Sequence, residues 1–262
     1  MMDLELAGKT AVVTGASRGI GLAIATELIA SGMRVGAGAR TLTDGLKTSG
    51  AVPIITDLTA PDGPALLLDQ ARDELGGVDV LVNNLGGGGE TEMATGFLDS
   101  TDREWSEIFD LNFFSMVRTT RAFLPELIQR RGSIVNFSSM TARIPHTSPL
   151  AYAAAKGAVS TFSKGIAEEF GPRGVRVNTI SPGPVLTEQW TAPGGYGAQY
   201  AAARNVTVEQ VLTDIPREMG VTTGAFADPR QVAALVAFLS SPLAGAVHGA
   251  DYAIDGGAIK TV

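Results

Sequence analysis

Tyr152 and Lys156 stand four residues apart in the stretch Tyr-Ala-Ala-Ala-Lys. Residues i and i+4 of a helix share a face, with Cβ atoms about 5–6 Å apart. An ammonium beside a phenol favours the phenolate and draws the tyrosine pKa down from about 10. Such a tyrosine can give and take a proton near neutral pH. One Tyr-x3-Lys spacing arises readily by chance, so its company matters. Ser139, thirteen residues upstream, can hydrogen-bond a carbonyl and steady developing oxyanion charge, and Ser138 competes for that place. Asn112 falls inside a helical pattern, where Asn has poor propensity. It can distort the helix and hold a water for proton relay, or simply bond its own backbone.

A second constellation suits a phosphate. Thr14-Gly15-Ala16-Ser17-Arg18-Gly19-Ile20-Gly21 joins a strand pattern to a helix pattern. Glycines there permit a tight turn and a close backbone approach to a pyrophosphate, and the helix N-terminus adds partial positive charge. The spacing Gly-x3-Gly-x-Gly is a variant of the commoner dinucleotide fingerprint. Arg40 follows Gly21 by nineteen residues, near where the adenosine ribose is read. An acid at that place favours NAD, whereas a basic residue suits the 2′-phosphate of NADP. Arg18 offers a second cation, and Asp44 lies close enough to complicate the choice. Both arginines can equally be solvated surface residues. Asp57-Leu58 can meet the adenine amino group, or Asp57 can be a plain helix N-terminal acid. Asn83-Asn84-Leu85-Gly86 suggests backbone passing close to a flat ligand, while Gly87–Gly89 reads as a flexible loop.

These residues need elements to hold them. Apolar and β-branched runs predict strands at Thr10–Thr14, Arg34–Ala39, Val52–Thr56, Val78–Val82, Ser133–Phe137, Val175–Ile180 and, last and short, Tyr252–Ile254. Between them the spacing predicts helices over Ile20–Ala30, Pro64–Leu75, Asp102 to Gln129, Ala151–Phe170 and Asp228–Leu239, the last with Pro229 in its first turn. Thr101 or Ser100 should cap the long helix, and Pro125 should end or kink it. Alternating β and α with wholly apolar strands argues a doubly wound α/β sheet with both faces covered. The 262 residues read as one domain, with 187–226 as an insertion near the ligand face.

Composition narrows the class further. The net charge of -7 argues against nucleic acid or an anionic membrane as partner. With no Cys there is no disulfide, thiolate metal site or Cys nucleophile, and two His make a multi-His metal site unexpected. Neither a secretory signal nor an apolar run of about 18 residues is visible, so a cytoplasmic protein is expected.

In order along the chain, Thr14–Gly21, Asp57, Asn83-Asn84-x-Gly86, Asn112, Ser139, Tyr152-x3-Lys156 and Ser181-Pro182-Gly183-Pro184 resemble the motif set of the short-chain dehydrogenase/reductase family. The resemblance runs from Leu6-Ala7-Gly8-Lys9 to Asp255-Gly256-Gly257. It implies a Rossmann-like, seven-stranded, mainly parallel sheet with helices on both faces, and hydride transfer between a nicotinamide and a carbonyl or alcohol carbon. By position it implies Tyr152 as general acid or base and Lys156 as ribose ligand and pKa depressor. Ser139 would orient the carbonyl, and Asn112 would support a proton-relay water. Gly15, Ser17, Arg18, Gly19, Ile20, Gly21, Arg40, Asp57, Leu58, Asn84, Gly86, Pro182, Gly183, Val185 and Thr187 would join Tyr152 and Lys156 around the cofactor. The resemblance also implies a homotetramer or dimer built through the helices of Asn112 and Tyr152 and the C-terminal strand. Two departures stand out: Leu85 replaces a small alanine, and His248 stands where a Thr-Gly pair is frequent, as a turn or interface residue.

The segment 187–226 is the expected substrate lid, with Trp190 and Tyr196 as candidate substrate residues and His146 as a third. Arg130 and Arg173 stand where carrier-dependent relatives hold basic residues. The expected activity is NADPH-dependent reduction of a small hydrophobic or polyketide-like ketone, NADPH being favoured over NADH by Arg18 and Arg40. The alternatives are an NAD-linked alcohol dehydrogenase working oxidatively and a catalytically silent dinucleotide-binding sensor.

Overall fold

The computed structural model describes residues 3–88 and 96–260. Seven strands pair into one sheet: β1 (Thr10–Thr14), β2 (Arg34–Ala39), β3 (Val52–Ile55), β4 (Val80–Asn83), β5 (Ser133–Phe137), β6 (Arg176–Pro182) and β7 (Asp251–Ile254). Their order across the sheet is β3-β2-β1-β4-β5-β6-β7. Every pairing is parallel, so the sheet is wholly rather than mainly parallel. The helices follow as α1 (Gly19–Ala30), α2 (Asp44–Thr48), α3 (Gly63–Leu75), α4 (Asp102–Phe109), α5 (Ser115–Arg130), α6 (Leu150–Phe170), α7 (Glu188–Thr191), α8 (Tyr196–Arg204), α9 (Val208–Glu218) and α10 (Pro229–Ser240).

Alternation along each strand divides the core in two. Ala11 and Val13 of β1 pack with Ile24 and Leu28 of α1 and Val232 and Val236 of α10. Val12, between them, faces the other side, where Leu67 of α3, Phe123 and Leu127 of α5 and Ala167 of α6 bury Leu81 and Ile134. Each of the fully buried Leu and Phe side chains contributes about 1.5–3 kcal/mol. The run of small residues in β2 has a packing reason. A Cβ on Gly36 would lie 3.2 Å from Ile54 Cδ1, and one on Gly38 would lie 3.1 Å from Leu67 Cδ1. The small strand lets α3 sit close to the sheet.

Several boundaries differ from the sequence expectation, each for a local reason. The helix expected from Asp102 to Gln129 is divided by a π-helical turn, Asp110–Phe114, centred on Asn112. Thr101 caps α4 in a capping box with Glu104, so it rather than Ser100 is the cap. Pro125 does not end α5, which continues to Arg130. β4 starts at Val80 because the Val78 N–H is taken by Glu126 Oε1 at 2.7 Å. β6 continues to Pro182, drawn on by its pairing with Ile254. The short α2 lies in a stretch to which the sequence pattern assigns no element; Thr43 caps it by accepting from Leu46 N. Residues 187–226 hold three helices, α7 to α9, around a cluster of their own. Among the described residues no helix is long and apolar enough to cross a membrane.

Candidate active site

In a parallel sheet the loops after the strands share one edge. The turn after β1 is built there without side chains in its way. Gly15 has φ +67° and Gly19 φ +56°, which glycine alone adopts cheaply. A Cβ on Gly21 would collide with Gly15 O and lie 2.5 Å from Asn84 Nδ2. Asn84 Nδ2 donates to Thr14 O at 2.9 Å and lies 3.3 Å from Gly15 O, so this side chain braces the turn itself. Thr14 Oγ1 accepts from Asn84 N at 3.1 Å and Leu85 N at 3.0 Å. That tie between the first and fourth strands was not read from the sequence, although Thr14 stands inside the motif. Helix α1 then begins with no side-chain cap at Arg18 and no acid in its first turn. Its leading N–H groups are left for an anion.

The surroundings of this turn are cationic. Arg18 and Arg40 are exposed, and neither makes an ion pair among the described residues. Thr43 Oγ1 donates to Ser17 O at 2.6 Å, joining α2 to the turn. Asp57 accepts from Thr59 Oγ1 at 2.7 Å and Thr59 N at 2.9 Å. These bonds, with the nearby Arg40 charge, hold its carboxyl below the ordinary range. Leu58 and Leu85 line one small void with Thr14, Met116 and Thr119. Leu85 therefore packs beside Leu58 rather than out in solvent. Thr187 reaches the turn from the far side: a Cβ on Gly19 would lie 3.5 Å from Thr187 Cγ2. Gly183 N donates to Ile254 O at 3.0 Å, and buried Val185 bridges Ala227. A dinucleotide's phosphates, ribose and nicotinamide fit this glycine cradle, uncapped helix and cationic rim.

Deeper in the same edge lie the groups able to move a proton. Lys156 is buried, and its Nζ donates to Phe137 O at 3.0 Å. Nζ lies 5.6 Å from the centre of the Tyr152 ring. Burial pushes the ammonium down to about 8. Tyr152 itself packs against Ile108, Ala151 and Ala155. Asn112 is buried in the π-helical turn, where Nδ2 donates to Ile108 O at 2.9 Å and Gly87 O at 2.8 Å. Its Oδ1 accepts from Gly87 N at 3.0 Å. A Cβ on Gly86 would lie 2.8 Å from Asn112 Oδ1 and 2.9 Å from Lys156 Nζ. Both atoms thus crowd the space where a Gly86 side chain would begin, and Gly89 of that run lies outside the described residues.

The two candidate serines differ in their commitments. Ser138 Oγ donates to Lys156 O at 2.8 Å and receives Ser160 Oγ at 2.8 Å, so it is occupied by the fold. Ser139 Oγ accepts from Thr141 N at 3.2 Å, and its own hydrogen meets no acceptor among the described residues. Behind them runs a buried polar ladder that the sequence reading missed: Asn83 Nδ2 donates to Asn136 Oδ1 at 2.8 Å, and Asn136 Nδ2 to Ser163 Oγ at 2.9 Å. Only the β4–β5 register, which sets Asn83 opposite Asn136, makes it visible.

A family model described as short chain dehydrogenase matches residues 9–193. The chain belongs to the short-chain dehydrogenase family. A 3-oxoacyl-[acyl-carrier-protein] reductase of Vibrio cholerae is 35% identical over 97% of this chain and 98% of that protein. A putative ketoacyl reductase of the monensin polyketide synthase from Streptomyces virginiae is 35% identical over 95% and 96%. The crystal structure of L-sorbose reductase from Gluconobacter frateurii, complexed with NADPH and L-sorbose, superposes with a TM-score of 0.90 at 30% identity over 100% of both chains. The protein is an NAD(P)-dependent oxidoreductase of this family.

The other residues singled out in the sequence have varied surroundings. Trp190 and Tyr196 pack on each other at 5.4 Å, and Trp190 also meets Phe226 at 5.0 Å and Tyr200 at 6.0 Å. Their apolar surface serves the cluster within 187–226. His146 is exposed in a short 3-10 turn. His248 Nδ1 accepts from Val177 N at 3.2 Å while Nε2 faces Ala167 O at 2.9 Å, bracing β6 against α6. Arg130 is engaged within the fold by Asp79 Oδ1 at 3.1 Å and Gly76 O at 2.7 Å. Arg173 stays exposed over the Phe170 ring.

Proposed function

We propose that this protein is an NADPH-dependent carbonyl reductase in which Tyr152 is the proton donor. The reading is carried by the convergence of Lys156 Nζ and Asn112 Oδ1 on Gly86, with the Tyr152 ring beside Lys156. A reduced nicotinamide dinucleotide, when bound, supplies hydride to the carbonyl carbon. Tyr152 passes its hydroxyl proton to the carbonyl oxygen. The ammonium of Lys156 stabilises the phenolate left behind and so lowers the cost of that transfer. Ser139, whose hydrogen meets no acceptor among the described residues, donates to the same oxygen and orients it. Asn112 holds the Gly87 backbone through two hydrogen bonds and its own helix, at Ile108 O, through a third. Both of its amide hydrogens are engaged, so a relay water meets only the second lone pair of Oδ1.

Gly15, Ser17, Gly19, Ile20 and Gly21 would hold the phosphates, with Thr187 alongside. Arg18 and Arg40 would hold the 2′-phosphate that distinguishes NADPH from NADH. Asp57 and Leu58 would meet the adenine, with Leu85 next to Leu58, while Asn84 and Gly86 shape the floor. Pro182, Gly183 and Val185 would border the nicotinamide. The segment 187–226 acts as the substrate lid. Thr187 borders the phosphate turn at one end of it, and Met219 packs with Met140 and Ile144 at the other. A small hydrophobic or polyketide-like ketone is the favoured substrate class, supported by the ketoacyl reductases among the relatives.

Calorimetric titration with NADPH and with NADH tests the cofactor reading without a substrate. The wild type should prefer NADPH, and Arg40→Asp should weaken NADPH much more than NADH. Equal weakening of both would place the 2′-phosphate elsewhere. Tyr152→Phe should abolish carbonyl reduction with NADPH affinity nearly unchanged; retained turnover would remove the tyrosine from proton transfer.

A further inference from the structure

A polar cluster on the Ser139 side of the site is not used by the mechanism above. Arg143, four residues past Ser139, places Nη2 3.0 Å from Asp251 Oδ2. Asp251 is the first residue of β7. Its Oδ1 accepts from Ser181 Oγ of β6 at 2.7 Å. Its Oδ2 lies 3.2 Å from Ser160 Oγ of α6. Ser160 Oγ is also 2.8 Å from Ser138 Oγ, which donates to Lys156 O. One carboxylate thus joins the last two strands, the loop after Ser139 and the helix of Tyr152 one turn beyond Lys156. The single hydroxyl hydrogen of Ser160 is shared between Ser138 and Asp251.

The loop needs such an anchor. From Met140 to Thr147 it holds only two 3-10 turns, Met140–Ala142 and Pro145–Thr147. Met140 and Ile144 tie it to an apolar cluster with Met219, Val221, Ala258 and Ile259. Arg143 supplies its one ion pair among the described residues. The two side chains are 38% and 22% exposed, and a pair so placed contributes little to global stability. What it fixes is the placement of one loop.

We propose that Asp251, acting through Arg143 and Ser160, is a positioning residue that sets the Ser139 loop against the Tyr152–Lys156 helix. The proposal rests on the catalytic reading of Ser139 and Tyr152 given above. It predicts that loss of the pair damages turnover rather than folding or cofactor binding, because small misplacements of a reacting group are costly.

The test uses the full chain with NADPH and three probe ketones: ethyl acetoacetate, the N-acetylcysteamine thioester of acetoacetate, and L-sorbose. Asp251→Asn and Arg143→Met should each lower kcat about ten-fold on the ketone that wild type reduces. NADPH Kd should stay within about two-fold and the melting temperature should hardly move. The double variant should be no worse than Asp251→Asn alone, since that change already removes the pair with Arg143. Arg143→Lys, which keeps the charge, should retain most of the turnover. Unchanged kcat in both single variants, additive losses, or losses that track a fall in melting temperature and NADPH affinity would overturn the proposal. Tyr152→Phe is the control. If it is inactive while Asp251→Asn behaves as wild type, only the positioning role fails. If it stays active, or if wild type reduces none of the three, the catalytic reading fails and the positioning role with it.

Discussion

Lys156 is the group whose burial has the largest measurable consequence. Its ammonium is pushed from 10.5 to about 8 by desolvation. In the unfolded chain it keeps its proton up to the ordinary value, so folding carries a penalty wherever the lysine must be charged. Below about pH 8 the penalty is complete, and it is relieved as pH rises from about 8 towards 10.5. With 1.36 kcal/mol per pKa unit, it amounts to about 3 kcal/mol at pH 7 and about 1 kcal/mol at pH 9.5. Lys156→Met removes the titration but leaves Phe137 O without its donor, an offset that does not vary with pH. Both proteins should carry Tyr152→Phe, so that no phenol titrates beside the lysine. Relative to the Met variant, the Lys protein should then gain about 2 kcal/mol between pH 7 and pH 9.5. Thermal melts would read this as about 4–8 °C. A difference that stays flat with pH, or that moves in favour of Met, would refute the argument that Lys156 folds as a desolvated ammonium.

Three further outcomes follow from distances in the site and beneath it. Gly86→Ala would set a methyl 2.8 Å from Asn112 Oδ1 and 2.9 Å from Lys156 Nζ. Its kcat should fall by about ten-fold or more in a folded protein, and near-wild-type steady-state kinetics would contradict the close approach. Asn112→Leu removes three hydrogen bonds to Gly87 and Ile108 and should cost about 2–3 kcal/mol in urea denaturation. A loss under about 0.5 kcal/mol would mean that water replaces them fully. Asp79 is opposed by burial, but hydrogen bonds from Thr10 N and Oγ1 and from Arg130 outweigh this and hold its carboxyl low. Its contribution is therefore present above the ordinary value of 3.8 and is lost as pH falls through the lowered one. Asp79→Asn should be less stable than wild type at pH 6, with the gap closing in acid; a gap constant down to pH 3 would count against this.

Much of the scaffold was legible in local pattern. The first two strands and β5 begin and end where their apolar runs do, because a strand covered on both faces has no polar side to blur its limits. The glycine turn, Tyr152-x3-Lys156 and Asn112 were also readable, since each is a spacing within one loop or helix. Failures came where a distant partner intervened. Val78 left its strand for Glu126, forty-eight residues away. Trp190 and Tyr196, singled out as candidate ligand contacts, are half-buried and pack on each other, and Trp190 also joins the cluster within 187–226. Nothing near Asn112 along the chain announces that it clamps Gly87.

The sequence by itself determined the alternation of strands and helices, the doubly wound class, the glycine turn and the chemical types available for catalysis. Tertiary structure alone decided which of those types meet. Ser138 is withdrawn into the fold by Lys156 O, while the Ser139 hydroxyl hydrogen meets no acceptor among the described residues. Asn112 Oδ1 and Lys156 Nζ converge on Gly86. Asp251 reaches Arg143 across 108 residues of chain. Spacing along a helix or turn is set by local geometry, and so it can be read from residue order. Contacts between elements depend on sheet register and helix packing, which arise only when the whole core is buried together.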